Sequence, residues 1–256
     1  VGDSKFAMHR HPGVAAAGAR LADPTQEVGG EAKACTDCHI AGVDALTSLC
    51  GVPVQVDEGH IDAIYSGTQK SLSCPPGLSP ISFSERAVEK IKARKTRVAS
   101  WFLDLTLVMG YWGAGAKRTY HHTAPVNALY GLHEALVMLQ EEGLENSWAR
   151  HEHHHRALRT GLENLGFEYI GKDGARLPQL NAVKLPAGVD EAKLRSILLN
   201  EFNLEIGAGL GALAGKIVRI GLMGYAASNR NVLLCLAALE AALAQARSTT
   251  PVAARA

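Results

Sequence analysis

The chain has 256 residues, 47% of them hydrophobic and 20% charged, and its 26 basic residues offset 25 acidic ones to a formal net charge of +1. Such a composition belongs to an ordinary globular protein with enough apolar material for a sizeable core, and scattered basic residues without an excess exclude nucleic acid or a membrane surface as the expected partner. No apolar run reaches the about 18 residues that a membrane-crossing helix needs; no secretory signal is legible, and the five cysteines, an odd number, read as reduced thiols of a cytoplasmic protein.

Residues 1 to about 34 carry little periodicity. Val14-Ala15-Ala16-Ala17-Gly18-Ala19 is small and weakly helical, and Glu27 to Glu31 interrupts it. Cys35-Thr36-Asp37-Cys38-His39 matches the C-x-x-C-H pattern of covalent haem attachment. None of Met8, Met109, Met138 or Met223 stands in the context of an axial ligand, and a lone CxxC lacks the second half of a zinc site, so two thiols at the end of a surface helix are the favoured reading.

Ile40 to Asp44 reads as a strand ending in an acid, Thr47 to Gly51 as a turn of small residues, and Val52 to Asp57 as an extended edge or connector carrying Pro53. Ile61 to Tyr65 is a short buried strand, after which Ser66-Gly67-Thr68-Gln69 forms a polar loop that ends at Lys70. Pro75-Pro76-Gly77 keeps a helix from starting there. Strand, crossover and strand in this order predict a parallel α/β sheet, whose functional groups collect at the carboxyl ends of strands, where Asp44 and Lys70 both fall. Taken alone, a loop lysine is a solvated charge; partly desolvated, its neutral amine becomes available for Schiff-base chemistry.

Leu78 to Phe83 reads as a further strand, and Ser84 caps a helix whose Lys90, Lys92 and the following Arg94, Lys95 and Arg97 are expected in solvent. The aromatics of Trp101 to Trp112 are expected to pack beneath the sheet. After the polar segment Lys117 to Pro125, a long helix places Leu129, Leu132, Leu136 and Leu139 on one face. Gly143 interrupts it and is taken as a domain boundary, giving 1–142 and 143–256. A second helix carries Trp148, Leu158 and Leu162 together with His151-Glu152-His153-His154-His155. His151 and His155 are spaced to share a metal, but no carboxylate or cysteine completes the set, and a solvated histidine face is expected.

The remainder alternates as a small α/β domain, with strands at Phe167–Ile170, Leu180–Leu185, Leu204–Ile206 and Lys216–Leu222 and helices at Asp190–Phe202 and Ser228–Ala246. Gly207 to Gly211 lies between two strands and is read as a substrate-side loop rather than a nucleotide loop. Arg219 interrupts an apolar strand and calls for an anion, either a structural carboxylate or the carboxylate of a substrate.

Val43-Asp44, Thr47 to Gly51, Ile61 to Gly77, Ser82-Phe83-Ser84, Arg94-Lys95-Thr96, Tyr120-His121-His122-Thr123, Gly143 to Trp148, Gly207 to Gly215 and Arg219-Ile220-Gly221-Leu222 run in order from about residue 43 onward. Together they resemble the alanine–glyoxylate (serine–pyruvate) aminotransferase family, class-V pyridoxal-phosphate enzymes of fold type I. The resemblance implies a mostly parallel-sheet large domain, incomplete here, and a small C-terminal α/β domain. It implies pyridoxal 5'-phosphate as cofactor, with Lys70 as its covalent anchor and proton carrier, Asp44 on the pyridine nitrogen and Gln69 on the phosphate. Tyr120 and Thr123 would reach the phosphate of a neighbouring subunit in a homodimer, and Arg219 would clamp the substrate carboxylate. Small amino acids and 2-oxo acids would exchange by a ping-pong route. The family's N-terminal arm, phosphate loop and ring-stacking aromatic have no counterpart in these motifs, and Val14 to Gly18 stands where a hydroxyl-rich stretch is expected.

Two alternatives accompany this expectation: another fold type I reaction on a small amino acid, such as desulfuration or phosphoserine transamination, and a truncated homologue that dimerises without catalysis.

Overall fold

The computed structural model describes residues 40–112, 119–172 and 174–247; Val14 to Ala19 and the Cys35-Cys38-His39 motif lie outside the described residues. The first sheet has three short strands in the order β1 (Gly42–Asp44), β2 (Ala63–Tyr65) and β3 (Ile81–Phe83). β1 and β2 are parallel, with Asp44 opposite Tyr65, as the strand–crossover–strand order predicts. β3 returns antiparallel, with Phe83 opposite Ala63. The lysine loop between β2 and β3 carries Pro75, Pro76 and Gly77 and builds no crossover helix, so a hairpin-like return replaces a parallel step. Val52 to Asp57 forms no strand: Pro53 removes a ladder donor, and Val54 and Val56 pack loosely on Ala45, Ile61 and Ile64.

Asp62, only 4% exposed, locks this sheet to the helix after β3. Ala41 N donates to its Oδ2 at 2.9 Å, Ser84 Oγ donates to its Oδ1 at 2.8 Å, and the Arg86 guanidinium pairs with it. Burial alone would raise the Asp62 pKa, yet Arg86, Ala41 and Ser84 together hold it below the usual carboxylate value. Ser84 also accepts from Ala87 N at 3.1 Å and so caps α1 (Glu85–Lys92), as its residue type predicts.

The chain then forms α2 (Leu105–Trp112), α3 (Val126–Glu142) and α4 (Leu144–Asn164), with Gly143 at φ 84° turning the chain between the last two. The four leucines of α3 do not share one packed face. Leu132 and Leu139 pack on Cys50, Leu72 and Cys74, whereas Leu129 and Leu136 are exposed. Trp101 and Phe102 do not go beneath the sheet either; they are 54% and 56% exposed. Trp101 stacks on His121 at 4.0 Å and Phe102 tilts against His122 at 5.0 Å, so histidines from the segment ahead of α3 take the place expected of the sheet.

The second sheet is antiparallel throughout, in the order β4 (Glu168–Tyr169), β5 (Leu180–Lys184), β7 (Ile217–Gly221) and β6 (Gly207–Ala208). Val183, Val218 and Ile220 point to one face, where Leu158 and Leu162 of α4, Leu194 and Leu198 of α5 (Glu191–Phe202), and Leu239 and Leu243 of α6 (Asn229–Arg247) close the main core. Each such side chain contributes about 1.5–3 kcal/mol by leaving water. Asp190 caps α5 by accepting from Lys193 N at 2.7 Å, and Asn203 ends it in the left-handed region at φ 51°. The strand predicted at Leu204 to Ile206 forms instead at Gly207–Ala208. Just beyond it, a Cβ on Gly209 would lie 2.1 Å from Leu213 O, so the tight turn requires glycine there. Cys50, Cys74 and Cys235 are free and buried, and burial pushes the Cys50 and Cys235 thiols up to about 11, which leaves them unreactive.

Candidate active site

Lys70 stands on a loop whose shape is fixed by short-range bonds. Thr68 is fully buried, and its Oγ1 donates to Pro75 O at 3.0 Å. Cys74 N donates to Thr68 O at 3.0 Å, Lys70 N to Gly67 O at 3.2 Å and Ser73 N to Lys70 O at 2.9 Å. Ser66 Oγ ties the start of the loop to Ala45 O at 3.1 Å, on the neighbouring strand's exit. The loop therefore holds Lys70 half-buried beside a cleft of about 360 Å³. Gln69, Lys70, Ser73 and Cys74 form one wall, and Gly221, Met223, Tyr225 and Ala226 form the other.

The structure brings some of the expected site residues together and leaves others apart. Gln69 and Lys70 share the cleft. Asp44 ends the adjacent parallel strand, exposed, with Oδ1 accepting from Leu46 N at 2.9 Å; it shares the carboxyl edge of the sheet but does not line the cleft. Tyr120 and Thr123 pair with each other, hydroxyl to hydroxyl at 2.6 Å, on the exposed side ahead of α3, and do not line the cleft.

Arg219 is half-buried rather than buried, and its Nε donates to Ala208 O at 2.7 Å. Among the described residues it pairs with no carboxylate. Alternation along β7 sends Val218 and Ile220 to the helices and puts Arg219 on the same side as Gly221, which lines the cleft.

The histidine stretch of α4 is a solvated face only in part: Glu152 and His153 are exposed, but two of its histidines turn inward. His151 and His155 are 0% and 6% exposed. His155 Nδ1 lies 2.7 Å from Asn181 Oδ1, which also accepts from Tyr169 OH at 2.8 Å. His151 Nδ1 lies 2.7 Å from Ser147 O, and Gly224 N donates to His151 Nε2 at 2.8 Å. Neither histidine has a metal-binding partner set among the described residues. The same segment supplies Arg150, which grips Glu142 through two bonds, at 2.5 and 2.8 Å, and donates to Gly224 O at 2.7 Å. Ser147, Arg150, His151 and Gly224 thus support the far wall of the cleft, and their residue types alone did not announce it.

These histidines set an acid limit on stability. Burial places the pKa of each below the ordinary histidine value; Arg150 and His154 add to this at His151, and Arg159 and Arg176 at His155, while Ser147 O and Glu142 at His151, and Asn181 and Glu152 at His155, oppose it without reversing it. The unfolded chain takes up these protons at the ordinary value of about 6.5 and the folded chain only at lower pH. Stability from this source is complete above the ordinary value and is lost as pH falls from there through the folded-state pKa. Urea midpoints measured between about pH 8 and pH 5 are expected to decline below the ordinary histidine pKa of about 6.5, and the decline is expected to be smaller in a His155→Gln variant.

The aminotransferase class-V family matches residues 15–232, upstream of the point where the individual motifs become legible. The alanine–glyoxylate aminotransferase of Felis catus is 45% identical over 203 residues, covering 78% of this chain and 49% of its own length. Among solved structures, an alanine–glyoxylate aminotransferase from Nostoc sp. superposes with a TM-score of 0.77 at 45% identity, over 80% of this chain and 54% of that one. A ureidoglycine–glyoxylate aminotransferase from Bacillus subtilis gives 0.79 at 40% identity, over 85% and 56%. The chain thus spans about half the length of the curated relatives it matches. No helix among the described residues is long and apolar enough to cross a membrane.

Proposed function

Because the chain belongs to the class-V aminotransferases and has the fold type I architecture of pyridoxal-phosphate enzymes, we propose that it contributes the lysine-bearing part of a transaminase moving an amino group from alanine or serine to glyoxylate or pyruvate. The observation that carries this reading is the placement of Lys70: a half-buried amine on a rigid loop, facing an open cleft, one parallel strand away from Asp44.

The residues present suit the cofactor. Pyridoxal phosphate supplies the electron sink that makes the α-carbon of an amino acid acidic. Lys70 Nζ would attach it and carry the proton to and from that carbon. Asp44, whose Oδ2 takes no bond among the described residues, would keep the pyridine nitrogen protonated. Gln69 would hold the phosphate from the cleft side. Arg219 would grip the substrate carboxylate with the part of its guanidinium not given to Ala208 O. In this reading Tyr120 and Thr123, exposed and already paired, serve a second copy of the chain in a homodimer. The exposed Leu129, Tyr130 and Leu136 of α3 support that arrangement. The division at Gly143 and a cytoplasmic setting belong to the same proposal.

The test is turnover of alanine and glyoxylate in the presence of pyridoxal phosphate, followed as pyruvate formation. Pyruvate production is the expected result. Ureidoglycine in place of alanine separates the two kinds of relative. Sulfide release from cysteine, with no turnover of alanine or serine, would assign the site to other fold type I chemistry. Cofactor capture without turnover of any small donor would sink the transaminase reading for this chain.

A further inference from the structure

We propose that His151 is a positioning residue for the Lys70 cleft: through its Nε2 it holds the Gly224 backbone, and with it the wall made by Met223, Tyr225 and Ala226, against the lysine loop. The inference rests on the reading of that cleft as the site of amine chemistry.

The imidazole is committed by its two neighbours. Nδ1 faces Ser147 O at 2.7 Å, and a carbonyl can only accept, so Nδ1 carries the hydrogen. Nε2 then has a lone pair, and it takes the Gly224 N–H at 2.8 Å. Both ring nitrogens are used, the side chain is fully buried, and the ring is neutral as long as Gly224 is held. The contact joins residues 73 apart in the chain.

The turn held in this way is fixed from three sides. Arg150 Nη1 donates to Gly224 O at 2.7 Å and to Ala227 O at 3.1 Å. Tyr225 N donates to Ser73 Oγ at 2.8 Å, and Ser73 N donates in turn to Lys70 O at 2.9 Å. Behind His151, Ser147 Oγ donates to Cys50 O at 2.8 Å, on the turn after the Asp44 strand. A continuous run of hydrogen bonds therefore joins the Asp44 side of the sheet, α4, the cleft wall and the lysine loop. An apolar side chain would fill the same space at lower cost in desolvation. What the imidazole supplies and an apolar side chain cannot is an acceptor at the cleft wall.

The experiment uses the full chain with His151→Leu, which fills the space without an acceptor, and His151→Gln, whose amide oxygen reaches the position of Nε2. Backbone amide exchange of residues 223–227 and the rate at which Lys70 is labelled by an amine reagent are read by mass spectrometry. His151→Leu is expected to speed exchange of this turn about tenfold, the weight of roughly one hydrogen bond to a buried group, and to change Lys70 labelling, while exchange in α5 and α6 stays as in the parent. His151→Gln is expected to restore most of both. Where alanine is turned over, His151→Leu should raise KM more than it lowers kcat. Unchanged exchange and labelling in His151→Leu would overturn the proposal, as would a His151→Gln variant indistinguishable from it. Should His151→Leu fail to fold, imidazole 15N spectra of the parent decide: a hydrogen on Nδ1 with Nε2 bonded to Gly224 N–H supports the proposal, and a hydrogen on Nε2 overturns it. Exchange, labelling and spectra need no cofactor, so failure of the transaminase reading leaves them interpretable.

Discussion

Replacing Lys70 with alanine is expected to abolish covalent capture of pyridoxal phosphate and, with it, any transamination. Among the described residues that line the cleft Lys70 is the one lysine, and in the proposed reading its amine would both anchor the cofactor and carry the proton at the α-carbon. General acid–base transfer by a positioned group is worth about 10²–10⁴-fold in rate, and the loss of the covalent anchor adds to that. Borohydride reduction followed by peptide mass mapping is the measurement: the parent chain should carry the reduced cofactor on Lys70, and the variant on no residue. A Lys70→Arg variant should behave the same way, because it keeps the charge but cannot form the bond. Capture that persists at another lysine in Lys70→Ala would remove this residue from its proposed role. The loop does not depend on the side chain for its shape, since Thr68, Ser66 and the backbone fix it. Stability is therefore expected to change by no more than about 0.5 kcal/mol, as for other substitutions outside packed or buried networks.

Much of this site was legible because it is local. An apolar strand, a small polar loop and a lysine are written within ten residues, and the cap at Ser84 that the structure bears out is equally local. The parallel pairing of β1 with β2 followed from their spacing and content. The antiparallel return of β3 did not, because it depends on the loop making no helix. His151 and His155 were misjudged for a different reason. His151-Glu152-His153-His154-His155 is polar by composition, yet Ser147, His151, His155, Leu158 and Leu162 repeat every three or four residues and all are buried. The apolar stripe that Leu158 and Leu162 establish continues toward the start of the helix through polar residues, and periodicity, not residue type, was the signal. Arg219 looked buried because its neighbours on β7 are. A central strand has two faces, and only one of them meets the helices. The far wall of the cleft could not be read at all, since Gly224 meets His151, Arg150 and Ser73 only after the chain has folded.

That wall supplies the second large effect: Gly224→Ala is expected to destabilise the chain by about 2–5 kcal/mol, adding the ~1–2 kcal/mol of a left-handed backbone to the ~1–3 kcal/mol of overpacking. Gly224 has φ 55°, where a side chain strains the backbone. A Cβ there would stand 2.0 Å from Ser73 Oγ and 2.6 Å from Ser71 O. The hydroxyl could rotate away, at the expense of its bond from Tyr225 N. The Ser71 carbonyl belongs to the lysine loop and cannot move without moving Lys70. The cleft must then open or the turn must lift, and lifting it breaks the bonds from Gly224 N to His151 and from Arg150 to Gly224 O. Urea denaturation gives the stability loss directly. The second observable is the rate of Lys70 capture by pyridoxal phosphate, which should fall in Gly224→Ala even at temperatures where the variant remains folded. A variant as stable as the parent would mean that the turn adapts without strain. A destabilised variant with unchanged capture would mean that the wall supports the fold but does not set the position of the lysine. Loss of both is the result that ties the glycine, the imidazole behind it and the amine across the cleft into one unit.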